Sequence, residues 1–471
     1  MNYLNKIINK NTLLDIRFWL VLFFLIRLFH ITNPPLEVSH NWRQTTVTMV
    51  ARNFYETNSD IMYPRLDIGG DKTGITGMEF PVLNYLIYLI SLVFGYDHWY
   101  GRLINLIVSS IGIWFFFKLI KKHFDKDLGF FSSIVLLFSI WIAFSRKIMP
   151  DTFSTSLIIM CIYYASNYFD SKRFFNLFLY ALFCLIGLLA KIPVGYLLVL
   201  LSLFVFNKKY EPREKLLFSI ASLIIIIPVV YWYFYWVPHL NTVFGFTHFF
   251  MGNTLDNGAK EIFTHLFETC FNFFDSSIKY VGFIFFTIGL FFIYKKQNKI
   301  LALIFGLTAI GFSIVIFKSG FAFYHHNYYI IPFVPVMALV CGYGLMQIKN
   351  NKWRYIFLII ISLEGVMNYQ DDFFIKDDDL AIYDLEKDFD GISNKEDLIL
   401  INSGNKPTPM YFAHRKGWVT FNDSIKTPRY LNKLKQKGLK FIVILKRSFG
   451  DEIKLDYPIC IDTPYYAIYK I

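Results

Sequence analysis

Long apolar runs alternate along the first 370 or so residues with short clusters of lysine and arginine. The runs Trp19 to Phe29, broken only by Arg27, and Leu223 to Trp236 have no polar face, which excludes amphipathic helices on a water-facing surface. A helix that crosses a bilayer needs about 20 apolar residues, within a range of about 17 to 25. By that measure the pattern predicts eleven spans, at roughly 16–32, 100–120, 128–146, 152–168, 174–190, 193–207, 216–236, 279–294, 300–317, 329–347 and 353–369. The run Pro81 to Gly95 is only about 15 residues long and predicts an interfacial or re-entrant helix instead. Alternating strands of about ten residues, which a β-barrel would need, are absent.

The cationic clusters sort the loops. They are Lys6, Lys10 and Arg17; Lys118, Lys121, Lys122 and Lys126; Lys172 and Arg173; Lys208, Lys209, Arg213 and Lys215; Lys295, Lys296 and Lys299; and Lys349, Lys352 and Arg354. Short loops rich in Lys and Arg stay on the cytoplasmic side of a membrane, so the N-terminus is expected inside and the loops opposite the clusters outside. No small-residue cleavage site follows the first apolar run, which is therefore expected to be a retained span. From about residue 370 the pattern changes to alternating polar and apolar residues. Leu398 to Ile401 and Phe441 to Leu445 predict short buried strands, and Ile375 to Phe389 and Pro428 to Lys437 amphipathic helices. The expected organisation is a membrane domain at 1–369 and a small soluble α/β domain at 370–471, placed outside by the odd number of spans.

Composition agrees. The chain is 55% hydrophobic and only 17% charged, with mean hydropathy +0.42, whereas soluble proteins carry about 25% charge. The net charge of +12 would suggest nucleic acid in a soluble domain, but here it sits in the inside loops. Membrane lipids are the expected partner and nucleic acid is not. Five cysteines show neither metal spacing nor pairing, and Cys161, Cys184 and Cys341 fall within spans as small hydrophobes.

The candidate chemistry lies in the outer loops. Residues 33–79 contain Ser39-His40-Asn41-Trp42-Arg43-Gln44, followed by an apolar spacing from Val47 to Phe54 that predicts a helix on the membrane surface, with Arg43 and Arg52 toward headgroups. Glu79 directly precedes Phe80-Pro81. It is either an N-terminal cap or a carboxylate able to accept a proton or a sugar hydroxyl. Arg146, Lys147 and Asp151 crowd one very short turn, where Asp151 could also pair with Arg146 or cap the next span. Lys191, His325, His326 and Tyr328 are further donors suited to phosphate or hydroxyl groups. Two neighbouring histidines could ligate a divalent metal, but no third ligand is evident by spacing, so no metal or other cofactor is expected to be required.

Taken in order, these residues resemble the C-type (GT-C fold) polyprenyl-phosphate-dependent glycosyltransferases, in the branch of the protein O-mannosyltransferases and the lipid A aminoarabinose transferase. The carriers are the long first outer loop ending in Ala51-Arg52, Glu79-Phe80-Pro81, Arg102-Leu103, Arg146 through Asp151, and Lys191-Ile192-Pro193. The resemblance covers residues 15 to about 200 and, loosely, the His325-His326 loop. It implies inverting transfer of a sugar from a lipid-phosphate carrier to a lipid, glycan or protein acceptor on the outer face of a membrane, expected to be a bacterial inner membrane. Asp151 matches the family's acidic residue after the third span. The family's acidic pair in the first loop is replaced by Arg43-Gln44, and Glu79 stands where relatives carry Lys or His. The expected roles are Asp151 or Glu79 as catalytic carboxylate, with His40, Arg43, Arg146, Lys147, Lys191, His325, His326 and Tyr328 on the donor. A flippase or other transporter, which would favour mid-span charges and broken helices, and a polysaccharide ligase are the alternatives.

Overall fold

The computed structural model describes residues 10–447 and 453–471; Lys6 and the side chain of Lys10, counted in the first cationic cluster, lie outside them. The chain folds into two compact units. One comprises Met1–Ile31, Arg102–Trp232 and Phe250–Gln370, the other Thr32–Gly101, Tyr233–Phe249 and Asp371–Ile471.

In the first unit apolar sequence becomes helix, because every backbone polar group in hydrocarbon must be satisfied within its own segment. Each of the eleven predicted spans is met by helix. Among the described residues four helices are long and apolar enough to cross a membrane: Tyr100–His123, Pro212–Phe244, Lys299–Ser319 and Asn327–Met346. A fifth arises if Leu266–Phe274 and Lys279–Lys295, bent by 92°, count as one. The others are shorter, more polar or interrupted. Large side chains such as Ile227, Ile310 and Leu223 are exposed, an apolar surface that only lipid would cover. The chain is a multi-pass membrane protein.

Several helices break where the sequence forbids continuity. Pro193 opens a 3-10 segment at Ile192–Leu201, and Pro228, which lacks an N–H, precedes a π-helical turn at Tyr231–Trp236. The stretch 237–278, expected as a loop, is largely helical at Val237–Phe244, Leu255–Thr264 and Leu266–Phe274. The cationic clusters meet in groups: Lys122 pairs with Asp170 at 2.6 Å and Lys172 with Glu211, while Lys296 donates to Gln347 at 2.7 Å.

The second unit is built around a five-stranded sheet of β1 (Leu398–Ile401), β2 (Lys416–Val419), β3 (Leu439–Leu445), β4 (Ile459–Asp462) and β5 (Tyr466–Lys470), in the order β2-β1-β3-β5-β4. β1 runs parallel to β2 and β3, and β5 antiparallel to β3 and β4. Alternation sends β1 side chains to two faces. Ile399 and Ile401 join a core with Leu36, Met49, Phe54, Leu385 and Phe389, whereas Leu400 packs with Ile442, Leu431 and Leu434. The predicted helix at 375–389 forms as three consecutive helical segments, α at Asp377–Leu380, 3-10 at Ala381–Asp384 and α at Leu385–Asp390.

The helix Asn41–Glu56 belongs to this unit and is an interior helix, not a surface one. Residues Arg43 to Arg52 are all buried. Arg52, expected among headgroups, pairs with Asp67 at 3.1 Å and donates to the Tyr411 carbonyl at 2.9 Å. Asn84 donates to the Val47 carbonyl at 2.9 Å, and the Tyr96 hydroxyl donates to the Thr48 carbonyl at 3.1 Å. The polar residues that suggested a wet face satisfy protein partners. The helix Val82–Phe94 has 13 residues, about 20 Å of length against a hydrocarbon core of about 30 Å.

Candidate functional site

In the first unit the turn 144–149 is held by one buried amide. Asn105, on the helix Tyr100–His123, donates to the carbonyls of Phe144, Lys147 and Met149 at 3.1, 2.7 and 3.3 Å. Thr152 adds a bond to the Phe144 carbonyl at 2.9 Å. Pro150 then starts the helix Pro150–Ser171 and puts Asp151 in its first turn, where the helix dipole favours a carboxylate.

Asp151 is almost fully buried, its side chain 1% exposed, and Lys191 approaches it at 2.5 Å with a side chain 7% exposed. Lys191 ends the helix Phe174–Ala190, at the break before Pro193. Its ammonium lies 5.1 Å from the Tyr328 ring and 5.4 Å from that of Tyr329, within cation–π range. His326 stacks on Tyr328 with ring centres 5.4 Å apart. Asp151, Lys191, Tyr328 and His326 thus form one linked group.

Other expected members stand apart from it. Arg146 is buried and donates to the carbonyls of Phe29 and, at 2.9 Å, His30. Arg102 reaches the Ile31 carbonyl at 3.1 Å. Both cations thereby satisfy carbonyls just beyond the helix Ile16–Arg27. The Arg146–Asp151 pair that the sequence allowed is not formed; Lys191 takes that place. Lys147 is buried with its ammonium 5.5 Å from the Phe144 ring. His325 is exposed and packs edge-on to Phe321. Among the described residues no three His, Cys, Asp or Glu side chains gather as a metal site.

In the second unit Arg43 forms an ion pair with Glu79, across 36 positions of sequence. The guanidinium also lies 5.2 Å from the Phe249 ring. Glu79 Oε1 accepts from Arg43, while its buried Oε2 has no hydrogen-bond partner among the described residues. Nearby His248 has a pKa held down to about 4, by burial first and then by Arg43, against the opposing pull of Glu79. His40 occupies the N-cap of the helix Asn41–Glu56 in the left-handed region, φ 59°, and so sets the chain's approach to Arg43.

Asn105 and His248 were not read from the sequence as site residues. The available signals were weak: a lone amide within an apolar run, and an imidazole among the phenylalanines of a loop.

Residues 78–232 match the family model described as dolichyl-phosphate-mannose-protein mannosyltransferase. No curated protein sequence matches the chain. Among solved structures, ArnT from Cupriavidus metallidurans in its apo state superposes with a TM-score of 0.63 at 12% identity, over 96% of this chain and 97% of that one. The same protein bound to undecaprenyl phosphate gives 0.59 at 12% identity, over 96% and 98%. The oligosaccharyltransferase AglB of Archaeoglobus fulgidus, in complex with an inhibitory peptide and a dolichol-phosphate, gives 0.51 at 12% identity, over 91% and 69%. At such identity the likeness is one of fold.

Proposed function

We propose that this chain, which shares the GT-C fold, transfers a sugar from a polyprenyl-phosphate donor to a lipid, glycan or protein acceptor. The buried Asp151–Lys191 pair carries this reading. A fully desolvated cation flanked by tyrosine rings is costly as decoration but apt for neutralising a leaving phosphate. In the reaction the acceptor oxygen bonds to the sugar's anomeric carbon, whose bond to the phosphate oxygen breaks. Polyprenyl phosphate departs with the bonding electrons, and the acceptor's proton goes to a carboxylate.

Of the two candidate carboxylates, Glu79 suits the base. Arg43 orients one of its oxygens and leaves the other open. Asp151, which stands 2.5 Å from Lys191 as an ion pair with neither oxygen hydrogen-bonded among the described residues, suits positioning: it holds the ammonium in place. The donors around Asp151 are an ammonium and aromatic rings, a set that does not fit a divalent metal, so the transfer is proposed to rely on cations. The positive-inside pattern supports a reaction on the outer face of the membrane, proposed to be a bacterial inner membrane, with the N-terminus cytoplasmic and 370–471 on that outer side.

The test is release of polyprenyl phosphate from a sugar-charged lipid by the purified chain. Glu79→Gln is expected to lower turnover by about 10²–10⁴-fold, the usual worth of general base catalysis. Unchanged turnover in this variant removes Glu79 as the base. A flippase, for which the interrupted helices are the favouring observation, would relocate the lipid with its sugar still attached. A polysaccharide ligase would turn over only a polymer-charged donor.

A further inference from the structure

A second polar site lies within the sheet-containing unit, at a cleft of ≈ 710 Å³ whose lining residues are all polar. Its scaffold is a backbone weld between the loop 64–76 and β2. Gly417 donates to the Asp67 carbonyl at 2.9 Å, and Gly70 donates to the Gly417 carbonyl at 2.7 Å. The weld brings Arg65 and Lys416 into the same cleft.

Most cations in the lining are already neutralised. Arg52 pairs with Asp67 at 3.1 Å, Arg415 with Asp390 at 2.9 Å, Lys395 with Glu386 at 2.8 Å, and His414 with both Glu56 and Glu386. Arg65 and Lys416 are different. Neither has an ion-pair or side-chain hydrogen-bond partner among the described residues, and Arg65 Nε is shut away from water without an acceptor. Among the described residues the one other charge in the lining without an ion pair is Glu396, which is exposed. Burial pulls the Lys416 ammonium pKa down, Asp67 and more weakly Asp71 oppose that, and Arg65 adds to it as a like-charged neighbour. Two adjacent cations and a buried N–H without an acceptor make a site that an oxyanion would complete. The cleft offers no apolar or aromatic wall for a lipid chain. It does offer hydroxyls: Thr73 Oγ1 accepts from the Ile75 amide at 3.3 Å and keeps its own proton to donate, and Thr57, whose hydroxyl donates to Asn53 Oδ1 at 3.2 Å and can still accept, also lines the cleft.

We propose that this cleft binds an acidic carbohydrate, whose phosphate or carboxylate bridges Arg65 and Lys416 while its hydroxyls meet Thr57 and Thr73. On the glycosyl-transfer reading above, that carbohydrate is part of an anionic acceptor glycan; the binding itself needs no donor lipid.

The full-length chain in detergent is titrated calorimetrically with glucose 1-phosphate, glucuronate, inorganic phosphate and glucose. The two acidic sugars are expected to bind, more weakly as salt rises. Arg65→Gln with Lys416→Gln is expected to weaken them by about tenfold or more, as loss of charge-assisted bonds requires. The charge-conserving exchange Arg65→Lys with Lys416→Arg should retain binding. Glucose binding as tightly as the acidic sugars, inorganic phosphate binding as tightly as glucose 1-phosphate, or full binding by the double Gln variant each overturns the proposal. Should the double Gln variant not fold, Lys416→Gln alone takes its place in the comparison. A chain that binds acidic sugars yet releases no polyprenyl phosphate would refute the transfer reading and leave the cleft standing.

Discussion

Replacing Lys191 with Met leaves the Asp151 carboxylate buried without its cation, and the structure says how costly that is. At 2.5 Å the attraction is roughly 6–7 kcal/mol with an effective dielectric of about 20. Desolvating each ion costs several kcal/mol, so the net worth of the intact pair is near zero. Breaking it is different: loss of one partner of a buried pair costs about 3–5 kcal/mol, because the survivor keeps its desolvation penalty. Lys191→Met is therefore expected to melt well below the parent in a thermal denaturation followed in detergent. Asp151→Leu with Lys191→Met removes both charges at similar volume and is expected to recover most of that loss. Release of polyprenyl phosphate, assayed on the same samples, should stay lost in the double variant. A double variant that is as stable and as active as the parent would reduce the pair to a packing feature. A single variant that melts unchanged would refute the desolvation reasoning.

Three other outcomes follow from the second unit. Arg43→Gln should raise the pKa of His248 from about 4, since the guanidinium helps burial hold it down, and Glu79→Gln should lower it further; NMR titration of the imidazole checks both signs. His414 bridges Glu56 and Glu386: burial pulls its pKa down, but the two carboxylates outweigh this and leave it raised. Burial pushes Glu386 up, yet His414 and Lys395 outweigh it and hold it at about 2. The imidazole's stabilisation is therefore complete below its unfolded value and fades as pH rises through its folded one. That of Glu386 is complete above the ordinary carboxylate range and fades as pH falls toward 2. Melting against pH should show His414→Ala losing about 2 kcal/mol near pH 5–6, the worth of charged hydrogen bonds, and a shallower decline on the alkaline side. Gly70→Ala should destabilise by about 1–3 kcal/mol in the same assay, because Gly70 sits at φ +64° and a Cβ there would lie 2.0 Å from Trp418 Nε1. A neutral result would show that the turn relaxes.

Much of the membrane part was legible from order alone. An apolar run such as Lys299–Ser319 declares a helix through composition and length, both local properties, and β1 and the core of β3 likewise announce themselves as apolar runs of strand length. β2 did not: Lys416-Gly417-Trp418-Val419 has no strand pattern, and it is a strand because β1 pairs with it. The helix Asn41–Glu56 was legible as a helix but not as a buried one, since its polar residues find partners up to hundreds of positions away, as Arg52 does at Tyr411.

The same division runs through the candidate site. The sequence by itself determined which ionisable residues stand at the ends of apolar segments, Asp151 and Lys191 among them, because burying an unpaired charge within a span is too costly to tolerate. Only the tertiary structure decided that Lys191 rather than Arg146 neutralises Asp151, that Arg43 pairs with Glu79, and that Arg65 and Lys416 line one cleft. The reason is physical: periodicity and hydropathy act over a few turns of chain, whereas an ion pair depends on which distant segments pack together.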